Sequence, residues 1–339
     1  MVKSKTGYRG KYRTFNPEVI RTYPVSTRKN KVTLGSLAEP SKVLGSEYGV
    51  DRETEEKISE VAELVRSARQ KKQPVILFTG AHAVKNGFGP LICDLMQKGI
   101  LTLVAGNGAT AIHDFELALS GETSESVPNA LAKGEFGMAF ELSYINKAVN
   151  CGSEQGLGYG ESLGKSINEN LIHEKKVKFQ HPEVSILATG YRLNIPVTIH
   201  ISIGTDVNNQ HPGFSGEAAG ETSYRDFLVF ANEVTRLTSG GVVLNIGSAV
   251  TGPEVLLKAV SMSANSGSKP EGIICADFDI RPGDAGEMDN DSSHFYYLRD
   301  QKSVVTRIPQ SFNGKGFYVQ GNQKLTFPLL YKKILRGNK

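Results

Sequence analysis

Pro74-Val75-Ile76-Leu77-Phe78-Thr79-Gly80, answered at 101–108 by Leu101-Thr102-Leu103-Val104-Ala105-Gly106-Asn107-Gly108, decides how this chain folds. Each is a short apolar run that ends in glycine beside a hydroxyl or an amide. Pro74–Phe78 and Leu101–Ala105 read as buried strands, because four to eight apolar residues bounded by turn residues suit a strand covered on both faces. Helices at Pro90–Lys98 and Ile112–Leu119 separate and follow them. The alternation continues with strands at Val197–Ile203, Gly241–Ile246 and Gly272–Phe278, and with helices at 183–191, Ser223–Leu237 and Pro253–Ala264. A helix at Glu125–Lys133 leads into 138–148. Strands alternating with helices of this length imply βαβ units. The fold class is therefore α/β, a Rossmann-like doubly wound and mainly parallel sheet with helices on both faces.

Working outward, Ile58, Val61, Leu64, Val65 and Ala68 recur at helical spacing, so 51–71 is an amphipathic helix with Asp51 as its N-cap. Two stretches break the rhythm. Residues 151–166 hold five glycines and read as a mobile loop or lid, and 281–316 is polar. Residues 1–50 read as a basic arm with one strand at Lys31–Leu34, and 51–339 as a single domain. Residues 1–31 carry nine Lys or Arg and one acid, Glu18, whereas the 339-residue chain as a whole is only +4. Tyr8, Tyr12, Phe15 and Tyr23 interleave with these bases, but no nucleic-acid module follows, which favours docking on a protein surface over nucleic acid.

Some classes are excluded or disfavoured. No apolar run reaches the roughly 18–20 residues that a membrane helix needs. Met1–Lys5 has no apolar stretch behind it, against a secretory signal. Cys93, Cys151 and Cys275 are too widely spaced for a disulfide framework or a zinc site, which points to a reducing, cytoplasmic setting.

Ligands of open parallel sheets sit beyond the carboxyl ends of the strands. Five such ends here carry glycine, hydroxyl, amide or ionisable groups. Thr79-Gly80 is followed by His82 and Lys85. Gly106-Asn107-Gly108 leads to His113, Asp114 and Glu116. His200 leads to Asp206, Asn245 to Gly247-Ser248, and the last strand ends at Asp277-Phe278-Asp279. Small residues between strand and helix let a phosphate or ribose approach the backbone N–H groups of the helix start. The spacing is not the G-x-G-x-x-G fingerprint. Gly158–Ser166 imitates a P-loop but has tyrosine at the required first glycine position. His113 and Glu116 share a helical face, and with His82 or His200 they have metal-ligand chemistry. Without an H-E-x-x-H spacing, hydrogen bonding inside the pocket is favoured, and no metal is expected.

Taken together these segments resemble the deoxyhypusine synthase family over roughly 73–330. The residues that carry the resemblance are Thr79-Gly80-Ala81-His82, Val104-Ala105-Gly106-Asn107-Gly108 with Asp114 and Glu116 beyond, Gly204-Thr205-Asp206, Ile246-Gly247-Ser248-Ala249-Val250, and above all Gly321–Leu330 with its Phe327-Pro328-Leu329-Leu330. The resemblance implies a Rossmann-like homotetramer that binds NAD between subunits. It also departs from the family. The chain has no tryptophan, and where the family has a Trp-Gly-Lys-Ile motif it reads Val305-Thr306-Arg307-Ile308. Arginine stays protonated and cannot form an imine. Lys302, Lys315 and Lys85 remain as other amines. The expectation is a divergent, NAD-dependent enzyme acting on a small amine or amino acid. Its proton-moving and substrate-holding residues would be His113, His82, Asp114, Glu116 and Asp206. Its cofactor residues would be Thr79, Gly80, Gly106, Asn107, Gly108, Gly247, Ser248 and Asp277. The alternatives are true deoxyhypusine synthase activity and a non-catalytic nucleotide-binding protein.

Overall fold

The computed structural model describes residues 8–284 and 286–337; the reading of Met1–Lys5 lies outside them. The chain opens with β1 (Asn30–Thr33), α1 (Pro40–Gly45) and α2 (Arg52–Gln70). Asp51 caps α2, its carboxylate accepting from the Thr54 N–H at 2.9 Å, and Ile58, Val61, Ala62, Val65 and Ala68 form the buried stripe. Then come β2 (Val75–Thr79), α3 (Ala81–Lys85), α4 (Gly89–Gln97), β3 (Leu103–Asn107), α5 (Gly108–Ser120), β4 (Glu122–Glu125), α6 (Val127–Ala132), α7 (Ser143–Glu154) and α8 (Tyr159–Glu169). A small hairpin of β5 (Leu171–Ile172) and β6 (Lys175–Lys176) precedes α9 (Ile186–Leu193), β7 (Val197–His200) and α10 (Gly216–Val234). The chain closes through β8 (Val242–Ile246), α11 (Thr251–Asn265), β9 (Ile274–Asp279), a π-helix at Gln301–Arg307, α12 (Ile308–Ser311), β10 (Lys315–Gln320) and α13 (Gln323–Arg336).

Six strands pair in parallel in the order β7-β3-β2-β8-β9-β10. Counted from β2 along the chain, this is 3-2-1-4-5-6, the Rossmann order. The first half winds outward from β2 to β7. The chain then crosses back and winds the other way from β8. Strand alternation feeds two cores. Val75 and Leu77 pack with α2, α4 and α5 on one face, while Ile76 and Phe78 meet Phe230, Leu256 and Ile308 on the other.

Two expectations are corrected. Residues 151–166 are no lid but the end of α7 and most of α8. Four of their five glycines are places where packing leaves no room for a Cβ: a side chain on Gly152 would strike Ser162, on Gly158 Asp226, on Gly160 the Val197 carbonyl, and on Gly164 the Leu187 carbonyl. The polar segment 281–316 hides the buried π-helix and leads into the sixth strand, whose two glycine-spaced residues Gly314 and Gly316 pack against Ile273 and Val305 backbone. The arm packs on the rest of the chain. β1 pairs antiparallel with β4, Val32 and Val43 enter the main core, and Arg28 is buried. Among the described residues no helix is long and apolar enough to cross a membrane.

Candidate functional site

β2 and β8 lie side by side at the point where the winding reverses, so their carboxyl ends splay their following loops to opposite faces and open a crevice between them. Gly80 forms one lip. Its N–H donates to the Ile246 carbonyl at 3.2 Å, and a side chain there would collide with the Gly247 carbonyl. Gly247 forms the other lip with φ +72°, a conformation that glycine adopts without steric cost. A Cβ on Gly247 would meet only the flexible Gln323 amide and His82, so this lip stays open. Gln323 is itself tethered by its Nε2, which donates to the Phe278 carbonyl at 3.0 Å. Ser248 Oγ accepts from the Gly252 N–H at 2.9 Å, and no side chain caps α11 at Val250. The positive end of a fifteen-residue helix therefore faces the crevice lip, with the Gly252 N–H already taken by Ser248. Thr79 is buried at the crevice floor, where its carbonyl accepts from Thr110 Oγ1 at 3.3 Å.

The neighbouring turn is built differently. Asn107 caps α5, its Oδ1 accepting from the Thr110 N–H at 2.9 Å. The space beside Gly106 is filled by the Thr110 side chain, and that beside Gly108 by the Asp206 carboxylate. Both glycines are thus accounted for by packing within the protein. Asp206 Oδ2 is buried without a hydrogen-bond partner, and desolvation pushes its carboxyl up to about 6.

His113, Asp114 and Glu116 share one helix but not one task. Asp114 turns to the amino end of α9, accepting from Ser185 Oγ at 2.5 Å, the Ile186 N–H at 2.7 Å and the Leu187 N–H at 3.1 Å. Burial pushes it up to about 6 against the pull of these donors. Glu116 pairs with Arg28 of the arm at 2.6 Å and accepts from Thr123 Oγ1 at 2.5 Å. A reading in which Asp114 and Glu116 hold a cationic substrate must therefore yield: one carboxylate is committed to a helix cap and the other to an arginine of its own chain. His113 Nδ1 lies 2.7 Å from Thr123 Oγ1. Desolvation first, then the positive charges of Lys85, Arg28 and His82, lower its pKa to about 3, so the ring is neutral. His82 itself is on the exposed side of α3, beside Gly247.

On the far side of β8, Asn245 Nδ2 donates to Asp277 Oδ1 at 2.7 Å and to the Ser248 carbonyl at 2.8 Å, which ties Asp277 to the crevice loop. Burial, with Asp300 next to it, holds the Asp277 carboxyl well above the usual carboxylate range. Arg281 bridges Asp279, at 2.7 Å, and Asp300. Asp300, Arg281 and Tyr318 are site neighbours that sequence reasoning missed, because their convergence depends on β10 and the π-helix. Lys302 is buried on that π-helix with its ammonium 3.5 Å from the Tyr296 ring centre, and desolvation lowers its pKa. Arg307 instead reaches Asp289 at 3.0 Å. His200 lies among Phe78, Phe227 and Phe230, neutral because burial lowers its pKa to about 3; it belongs to the core. Among the described residues no three His, Cys, Asp or Glu side chains stand close enough to hold a metal ion.

No family model matches the chain, and no curated protein does. Solved structures do. ArgZ, an arginine dihydrolase from the ornithine-ammonia cycle in cyanobacteria, is 15% identical with a TM-score of 0.50, covering 85% of this chain and 34% of its own. AgrE, solved in a ternary complex with ornithine and NAD+, is 15% identical with a TM-score of 0.49, covering 86% and 34%. A putative deoxyhypusine synthase from Entamoeba histolytica is 9% identical with a TM-score of 0.46, covering 94% and 98%. The chain spans about a third of the length of the ArgZ and AgrE chains. The likeness to ArgZ is one of fold: a Rossmann-like α/β architecture around a parallel sheet.

Proposed function

We propose that this chain is an NAD-dependent enzyme that acts on a small amine or amino acid, with the cofactor lying across the crevice between Gly80 and Gly247. The observation that carries the reading is the open Gly247 lip at the winding reversal, in front of the start of α11. Ser248 and the N–H groups of Ala249, Val250 and Thr251 would hold the phosphates, and Thr79 would line the floor. Asp277 would brace the loop through Asn245. When bound, the nicotinamide would accept a hydride from the substrate carbon. Asp206, a buried carboxylate with an unpartnered oxygen, is the acid best placed to meet a substrate cation.

Calorimetry tests this directly. NADH should bind at millimolar concentration or below, Gly247→Val should abolish binding, and Ser248→Ala should weaken it. Absence of any binding by the wild-type protein defeats the reading. The related expectation of a homotetramer is checked by light scattering, where a monomer at physiological salt would overturn it.

One observation favours a second reading, true deoxyhypusine synthase chemistry. Lys302 is buried, carries a depressed pKa and sits on a π-helix, a geometry frequent at functional sites. Borohydride trapping with labelled spermidine, followed by peptide mapping, separates the two. The first reading expects no label; label on Lys302 replaces it with the second.

A further inference from the structure

A continuous chain of side-chain contacts runs from the arm to His113. Arg28 Nη2 donates to Glu116 Oε1 at 2.6 Å, Thr123 Oγ1 donates to Glu116 Oε2 at 2.5 Å, and Thr123 Oγ1 lies 2.7 Å from His113 Nδ1. Arg28 and Glu116 are each 6% exposed at the side chain, so the pair is closed to water. Glu125, 3.6 Å from the same guanidinium and holding the Gly137 N–H, keeps Arg28 in place. A threonine hydroxyl has one proton to give. A carboxylate paired with arginine only accepts, so that proton points at Glu116. The Thr123 oxygen is then left to accept from the ring, and Nδ1 must carry the hydrogen. In a neutral imidazole this leaves Nε2 as the lone-pair nitrogen. Nε2 bonds to nothing among the described residues and, unlike the Nδ1 of His211, is not buried. His211 shows the opposite arrangement. Its Nε2 gives its hydrogen to the Gly137 carbonyl at 2.8 Å and its Nδ1 is sealed in, which is a structural role.

We propose that Arg28, Glu116 and Thr123 are positioning residues that lock His113 in the Nδ1–H tautomer, so that Nε2 presents a neutral, hydrogen-bond-accepting lone pair to the site. The acceptor's task rests on the NAD-dependent amine reading. A substrate ammonium would donate a hydrogen bond to the Nε2 lone pair, and the ring would stay neutral. α3, which carries Lys85, packs against the His113 helix, and the lysine charge helps to keep the ring neutral. The basic arm thereby becomes part of the site, because it supplies the cation that fixes Glu116.

The tautomer is read by long-range proton–nitrogen NMR on protein labelled with ¹⁵N-histidine at pH 7, with His113→Gln identifying the signal. Wild type and Thr123→Ser should show Nδ1–H, and Thr123→Val should move His113 toward Nε2–H. Should the valine variant fail to fold, Glu116→Gln provides the second arm, since its amide frees the threonine proton to turn to the ring. Diethyl pyrocarbonate should acylate His113 Nε2 in the wild type, several-fold more slowly in Thr123→Val. An Nε2–H signal in the wild type, an unchanged signal in both variants, or a His113 that stays unmodified while exposed His82 reacts would overturn the proposal. NADH added to the same samples keeps the questions apart: failure to bind sinks the functional reading and leaves the tautomer result standing.

Discussion

At the residue scale, chemistry-bearing side chains divide by what they already bond. Asp114 has three donors and works as the cap of a neighbouring helix, whereas Asp206 has an unpartnered oxygen. Asp114→Ala should therefore act on stability. We expect a loss of about 2–4 kcal/mol in urea unfolding, since a cap and a buried hydroxyl lose their acceptor together. Asp206→Asn should leave the unfolding midpoint within about 1 kcal/mol, because no partner is lost. Two of the histidines that the fold holds neutral predict a pH dependence. In the unfolded chain they protonate near the ordinary value of about 6.5; in the fold His113 and His200 protonate only near about 3. At these two rings the unfolded state binds more protons below pH 6.5, so their contribution to stability falls as pH drops through that window toward 3. Buried Asp114 and Asp206, raised to about 6, act in the opposite sense over the same window, so the test is the difference: His200→Phe should lose less between pH 7 and pH 4.5 than the wild type, and an identical change in the two would refute the burial argument.

At the scale of elements, glycine density misleads when it is read as flexibility. The glycines of α7 and α8 are sites of close approach between helix, strand and side chain. Gly160 also gives its N–H to Asp226 Oδ2 at 2.9 Å, as does Ile199 at 2.7 Å, so one carboxylate ties α8 to β7. Gly160→Ala would place a Cβ against the Val197 carbonyl and should cost about 1–3 kcal/mol, visible as a lowered thermal midpoint. The same substitution in a true lid would be almost silent. The Phe327-Pro328-Leu329-Leu330 stretch is likewise an element-scale feature. All four residues are buried on α13, and Phe327 meets Phe88 with ring centres 4.9 Å apart, so this part of the resemblance records packing.

At the scale of the whole molecule, the basic arm and the sheet are parts of one structure. Arg28 crosses from the arm to Glu116 and Glu125, and removing it leaves two carboxylates facing each other in a dry site. Arg28→Ala should cost about 3–5 kcal/mol, the range for breaking one side of a buried pair. High salt should not abolish the difference, as it would for an arm held by exposed charges. A variant as stable as the wild type would mean that the arm merely lies on the surface.

The sequence by itself determined the sheet. Apolar runs of four or five residues, closed by glycine and separated by amphipathic helices, can be buried only in a parallel sheet covered on both faces, and five of its six strands were legible in that pattern. Strand ends shifted by two or three residues: polar Asn107 continues the β3 ladder beyond the apolar run, whereas β7 stops at His200 although Ile201 and Ile203 continue the apolar pattern. The sixth strand was hidden, since Lys315-Gly316-Phe317-Tyr318 is only half covered at the sheet edge. Tertiary structure alone decided which strand end lies open. Gly106, Gly108 and Gly247 look alike in sequence. Only the contacts from Thr110 and Asp206, distant or turned back on the chain, fill two of them and leave the third facing the crevice. The partners of His113, Asp114 and Glu116 were illegible for the same reason: Thr123, Ser185 and Arg28 come from different elements, and a side chain's chemistry is set by the neighbours that the fold brings to it.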